Sequence, residues 1–194
     1  MISEKRVKKI LEKTGVLQEG HFLLSSGRHA EKYLQCALVL QYPEYADELA
    51  EGIADLWEEE TIETVTGPAV GAIVVSCVVA RAIGVRSIFS ERKDGKMKYR
   101  RGFDISPGEK VLLVEDVVTT GKSVREAIEL LEEKEAQIVG ISSLIDRSGG
   151  NVEFDYPFKS LITFNVKSYS QEECPLCEKE IDFTKPGSRK SLKG

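Results

Sequence analysis

The chain has 194 residues, with 27 Lys and Arg against 32 Asp and Glu, a formal net charge of −5, and 41% hydrophobic against 30% charged residues. That is enough chain to bury a core in one domain, and the composition excludes a disordered protein. The acidic total argues against a dedicated nucleic-acid binder, which needs a basic footprint to displace counterions, and no run of about 18 apolar residues offers a bilayer span.

Met1 to Arg6 is charged, with no apolar stretch of signal-peptide length behind it, so the expected compartment is the cytoplasm. Residues 3–13 place Val7, Ile10 and Leu11 at helical spacing, and Thr14-Gly15 ends this short amphipathic helix. Phe22 to His29 reads as an apolar strand entering a Gly turn, with residues 32–35 as its candidate hairpin partner. Residues 43–60 put Tyr45, Leu49, Ile53, Leu56 and Trp57 on one face and carboxylates on the rest, a surface helix backed by a core. From Ile62 the rhythm is strand then helix: strands at 62–66, 86–90, 111–114, 137–145 and 161–166, helices at 69–83 and 123–134. Continuous apolar strands alternating with helices predict a parallel sheet covered on both faces. Residues 91–110, long and polar, read as a loop, and a tail begins at Tyr169.

The chemistry concentrates at 111–123. Val111 to Val114 is a buried strand, Glu115 and Asp116 stand at its C-terminal end, where open α/β sheets bind ligands, and Val117-Val118-Thr119-Thr120-Gly121-Lys122-Ser123 leads into a helix. Hydroxyls, backbone N–H groups and a Gly ahead of a helix N-terminus can cradle a phosphate. A nucleotide P-loop does not fit, because the first Gly of Gly-x4-Gly-Lys-Ser would fall at Asp116. Two acids before such a cradle suit a sugar phosphate, the carboxylates holding vicinal hydroxyls.

This stretch resembles the phosphoribosyl diphosphate (PRPP) signature of the type I phosphoribosyltransferases. Phe22 to His29 with Tyr33 and Gln35 resembles the N-terminal hood of the orotate phosphoribosyltransferases, Gly67-Pro68-Ala69 their diphosphate turn, residues 91–102 their catalytic loop, and Ile145-Asp146-Arg147 the strand end that grips the orotate carboxylate. The resemblance implies an α/β type I phosphoribosyltransferase fold, a parallel sheet flanked by helices with a small N-terminal hood. It runs as a single domain over 1–194: helix and hood to about 40, core about 41–168, and a tail about 169–194. It implies an enzyme, a pentosyltransferase that joins the ribose 5-phosphate of PRPP to orotate, releasing diphosphate and giving orotidine 5′-monophosphate for pyrimidine synthesis. A purine phosphoribosyltransferase and a non-catalytic PRPP-sensing regulator are the alternatives.

On the same resemblance, PRPP falls to Glu115, Asp116, Val117, Val118, Thr119, Thr120, Gly121, Lys122 and Ser123, and orotate to Thr119 and Arg147. Lys96, Arg92, Lys93 and Lys98 are the catalytic candidates, on a loop (92–101) shared across a homodimer. Mg²⁺ is expected, held mainly by substrate with no dedicated protein ligands. Two departures stand out: Ser25 where many relatives have Lys, and Val70-Gly71 where many have Tyr-Lys.

Cys174-Pro175-Leu176-Cys177 has the spacing of half a zinc knuckle. A second pair of ligands could come only from another subunit or from a histidine, and the pair reads as a tail turn with free thiols. His21 and His29 read as hood or surface residues, and Cys36 and Cys77 as core. Charge is uneven: residues 92–101 carry six basic and one acidic residue, leaving −10 for the rest. One basic segment on an acidic body suits a small polyphosphate better than a nucleic acid.

Overall fold

The computed structural model describes residues 1–24 and 26–186. Ser25 and the end of the tail therefore lie outside the described residues. Helix α1 (Glu4–Lys13) begins at Ser3, whose side chain accepts from the Arg6 N–H, and buries Val7, Ile10 and Leu11 as the spacing predicts. Strands β1 (Leu17–Leu23) and β2 (His29–Leu34) form the hood hairpin. A short helix α2 (Ala37–Leu40), absent from the sequence reading, leads to α3 (Pro43–Leu56), which ends four residues earlier than its apolar spacing suggests. There follow β3 (Thr64–Pro68), α4 (Ala72–Ile83), β4 (Arg86–Lys93), β5 (Lys96–Tyr99), β6 (Lys110–Val118), α5 (Lys122–Glu133), β7 (Gln137–Asp146) and β8 (Phe158–Thr163). The tail adds β9 (Ser168–Tyr169) and a single helical turn, α6 (Pro175–Glu178).

The main sheet runs β5-β4-β3-β6-β7-β8, parallel except for β5. Its centre is buried on both faces: Leu112 and Val114 join one core with α1, α3 and α4, while Val111 and Leu113 join another with α5. Alternate residues of a strand point to opposite faces, so a continuous aliphatic run is what such a position requires. A second, antiparallel sheet, β1-β2-β9, forms the hood and ties the tail to it.

Two expectations are corrected. The polar stretch after Ser90 is not one long loop: β4 continues to Lys93, Asp94-Gly95 turns with both φ positive (55° and 80°), and β5 returns antiparallel. An Asp-Gly pair in that conformation closes a two-residue hairpin whose twist matches its strands. Cys77 is exposed rather than core, because it lies on the outward side of α4 with Val74.

Candidate active site

The site is assembled at the C-terminal ends of β6 and β7, beneath the hood. Glu115 is buried at 8% exposure and Asp116 is half-buried. The Asp116 carboxylate accepts from the Val117 N–H at 2.8 Å, and that of Glu115 from the Asp116 N–H at 3.1 Å. Burial, then the neighbouring Asp116 charge, pushes the Glu115 carboxyl well above its ordinary range. Asp116 is also raised by burial, but the side-chain hydrogen bond with Glu115, and then the Val117 N–H, favour its charged form, so Asp116 is the carboxylate of the pair.

The following turn is open towards solvent. Gly121, at φ 72°, is the N-cap of α5 and offers no side-chain hydrogen bond; the Lys122 N–H meets only Thr120 Oγ1, at a long 3.4 Å, so the first N–H groups of the helix can turn to an anion. Thr119 to Val124, with Glu115, Val117 and Val118, line a cleft of about 60 Å³ there. Beside it, sharing Val117 and Thr119, lies a cavity of about 230 Å³ walled by Leu24, Tyr33, Leu34, Gln35, Cys36, Asp116, Arg147 and Pro186.

Arg147 is half-buried, and among the described residues no carboxylate forms an ion pair with it. Asp146 instead accepts from the Ser148 and Gly150 N–H groups at 2.7 and 3.1 Å, which removes a simple Asp146–Arg147 pair. Burial lowers the Arg147 pKa from its ordinary value, the cost of holding a guanidinium out of water without a counter-charge. Burial also raises the phenol of Tyr33, so it enters the cavity as a neutral hydroxyl.

The turn after β3 closes the other side. A Cβ at Gly71 would lie 2.8 Å from Asp116 Oδ2, so any side chain at this position would displace either the carboxylate or the turn.

The basic hairpin stands apart from both hollows: none of residues 92–101 lines either. Arg92 is tied to Glu126 of α5, and Arg101 makes a bidentate pair with Glu91 at 3.0 Å on both bonds. Lys93, Lys96 and Lys98 are exposed and, among the described residues, form no ion pair. A larger hollow of about 640 Å³ lies between α5 and residues 151–155, but Glu129, Glu132, Glu153 and Asp155 line it and would repel a polyphosphate.

Tyr33 and Gln35, read from sequence only as hood residues, and Cys36, read as core, are cavity wall. Their signal was the two-residue spacing that puts Tyr33 and Gln35 on one face of an extended chain. Pro186 carried no signal at all.

Residues 39–174 match the family described as the phosphoribosyl transferase domain. The orotate phosphoribosyltransferase of Thermotoga maritima is 55% identical over 183 residues, covering 94% of this chain and 98% of its own. The chain belongs to the orotate phosphoribosyltransferase family. The enzyme of that name from Caldanaerobacter subterraneus is 49% identical over 97% of this chain and all of its own. The orotate phosphoribosyltransferase of Mycobacterium tuberculosis superposes with a TM-score of 0.69 at 20% identity, covering 83% of this chain and 96% of that one, a likeness of fold.

Proposed function

We propose that the chain transfers the ribose 5-phosphate of PRPP to N1 of orotate: the bond from C1 to the diphosphate oxygen breaks, the bond from C1 to N1 forms, and diphosphate leaves. The observation that carries this is the cavity lined by an unpaired Arg147, Thr119 and Asp116, which adjoins the α5 cleft through Val117 and Thr119. A planar guanidinium suits the carboxylate of an anionic pyrimidine, and a purine has no carboxylate to meet it. Asp116 and Glu115 hold the ribose hydroxyls, and the N-terminus of α5 holds the 5-phosphate. The transition state resembles an oxocarbenium ion, so catalysis rests on stabilising the departing diphosphate and excluding water.

Mg²⁺ belongs to this reading. Carboxylate and diphosphate oxygens are the hard donors the ion prefers, and when bound it would offset the charge of the leaving group. A homodimer with hairpin 92–101 lent to the neighbouring subunit also belongs to it. What supports the loan is that the hairpin carries the densest positive charge in the chain yet borders neither hollow of its own subunit. A cytoplasmic setting suits four unbridged cysteines.

The direct test supplies PRPP and Mg²⁺ with one nucleobase at a time and follows base consumption. Orotate is consumed; turnover of adenine, hypoxanthine or uracil but not orotate would overturn the assignment. For the shared hairpin, Lys96→Ala and Asp116→Asn subunits are mixed. Heterodimers regain activity if the hairpin crosses the interface and stay inactive if each serves its own subunit.

A further inference from the structure

Away from the cleft, four side chains from three segments converge under the hood: His21 on β1, His29 on β2, and Cys174 and Cys177 on the tail. One ligand atom from each lies within 4.8 Å of all the others. The hairpin register explains the first half of the set. Leu23 pairs with His29, and His21 shares a face with Leu23, so both imidazoles point to the face the tail covers. The tail explains the other half, because a single helical turn brings Cys177 back beside Cys174.

These are not surface groups. His21, His29 and Cys174 are 4%, 2% and 2% exposed. His21 Nδ1 lies 2.6 Å from the carbonyl oxygen of Ile181, an acceptor, so Nδ1 carries the proton and Nε2 presents a lone pair inward. Three groups crowd that lone pair: His29 Nδ1 at 2.6 Å, Cys174 Sγ at 3.5 Å and Cys177 Sγ at 3.7 Å. One lone pair satisfies one donor, so a hydrogen-bonded knot accounts for one of the three. A cation at their centre accounts for all of them.

We propose that His21 Nε2, His29 Nδ1, Cys174 Sγ and Cys177 Sγ form a tetrahedral structural Zn²⁺ site that fastens the C-terminal tail to the hood. With Zn–S of about 2.3 Å and Zn–N of about 2.0 Å, a tetrahedron has N···S edges of about 3.5 Å. Three of the four N···S separations are 3.5, 3.7 and 3.4 Å, and the fourth lies within the 4.8 Å that bounds the whole set. The two nitrogens, 2.6 Å apart, need only part by roughly 0.7 Å to reach their own tetrahedral edge of about 3.3 Å. Two thiolates and two imidazoles favour zinc over the hard Mg²⁺ of the reaction. The set is closed, with four protein ligands and no open position, the form of a structural rather than a catalytic site. Phe183 packs edge-on against both imidazoles, at 5.7 and 5.3 Å between ring centres, and supplies an apolar flank.

The consequence reaches the base cavity. Beyond the site, Thr184 exchanges backbone hydrogen bonds with β1, its N–H to His21 O at 2.8 Å and its carbonyl from Leu23 N–H at 2.9 Å. Two residues further, Pro186 is cavity wall. Zinc thus anchors the strand that finishes the orotate side of the pocket. The sequence showed half of this site in the Cys pair. The other half lies some 150 residues away, which is why His21 and His29 gave no sign of being ligands.

The test is metal content, read independently of turnover. Full-length protein purified under reducing conditions without chelator contains about one zinc per chain, and Cys174→Ser with Cys177→Ser contains none. Replacing the metal with Co²⁺ gives thiolate charge-transfer absorption and the intense visible bands of a tetrahedral dithiolate site. Stripping zinc from the wild type with a mercurial and a chelator speeds lysine-specific cleavage after Lys179 about tenfold, as local unfolding of the tail requires. Two results overturn the proposal: metal-free protein that takes up neither Zn²⁺ nor Co²⁺ with both thiols titratable, or a Cys174–Cys177 disulfide that, once reduced, still binds no metal.

Discussion

The two walls of the base cavity are built by opposite means. One wall, Asp116, Thr119 and Arg147, stands on the ends of β6 and β7, where Val111, Leu112, Leu113, Val114, Ile141 and Ile145 are all 0% exposed. The other, Leu24, Tyr33, Gln35 and Pro186, hangs from a three-stranded sheet that buries only Phe22, Ala30 and Leu34 among its apolar residues. The charged groups that must not move sit on the stiff wall. The wall that must admit and cover a base has little core of its own and is held instead by polar ties: Arg28 to Ser168 at 2.9 and 2.7 Å, and the His and Cys cluster. Substitutions on the first wall should change binding or chemistry with the fold intact, and substitutions on the second should loosen structure first.

The largest effect on this contrast is expected from Arg147→Ala. Losing a charge-assisted, bidentate contact to a carboxylate costs about 1.5–3 kcal/mol, so KM for orotate rises roughly 10- to 100-fold. KM for PRPP and the melting temperature stay near wild type, because Arg147 has no ion-pair partner to abandon. Steady-state kinetics with each substrate varied in turn check this, and an equal loss towards PRPP would place Arg147 outside the base side.

How much of this was legible in the sequence follows the same division. The stiff wall is local: strand, acids, Gly and helix lie within 111–134, and each reports its place through spacing that survives any tertiary context. Hairpin 92–101 was half legible. Its basic residues announced a polyphosphate, but the length of the polar stretch suggested a loop, while Asp94-Gly95 flanked by β-compatible residues held the turn signal that was passed over. The hood and tail were the least legible, because His21, His29, Cys174, Cys177 and Pro186 acquire meaning only once chain closure brings both ends together. Short strands with few apolar residues leave no periodicity to find.

A smaller effect, in stability, is expected at the buried acid. Glu115 is raised in the folded state above its ordinary 4.5, chiefly by burial and then by Asp116. The stability tied to its neutral form is complete below the ordinary carboxylate range and is lost as pH rises through the elevated folded value. Glu115→Gln keeps the neutral shape at all pH values. Without ligand at pH 7–8 it should melt higher than wild type by about 3 °C, roughly 1 kcal/mol for a chain of this size, and the difference should vanish towards pH 4. Asp116 remains the charged member of the pair in this variant, so PRPP binding changes less than stability does. A melting difference that does not change with pH would show that Glu115 does not titrate in this range.

The smallest effect separates backbone from contact. Gly71 has helical φ and ψ (−57°, −43°), so Ala at this position meets no backbone strain, although as N-cap of α4 it brings no gain in helix stability. Its added methyl nonetheless faces Asp116, with Oδ2, Cγ and Oδ1 all 2.8–2.9 Å away, closer than a carbon can sit. Either the carboxylate turns or the β3–α4 turn lifts, and both move the group that holds ribose. Gly71→Ala should therefore leave the melting temperature near wild type while raising KM for PRPP about 5-fold, a change of roughly 1 kcal/mol, with KM for orotate little altered. A fall in melting temperature with unchanged KM would mean that the strain is absorbed in the stiff wall itself, and that the ligand-side geometry of Asp116 is not set by its contact with Gly71.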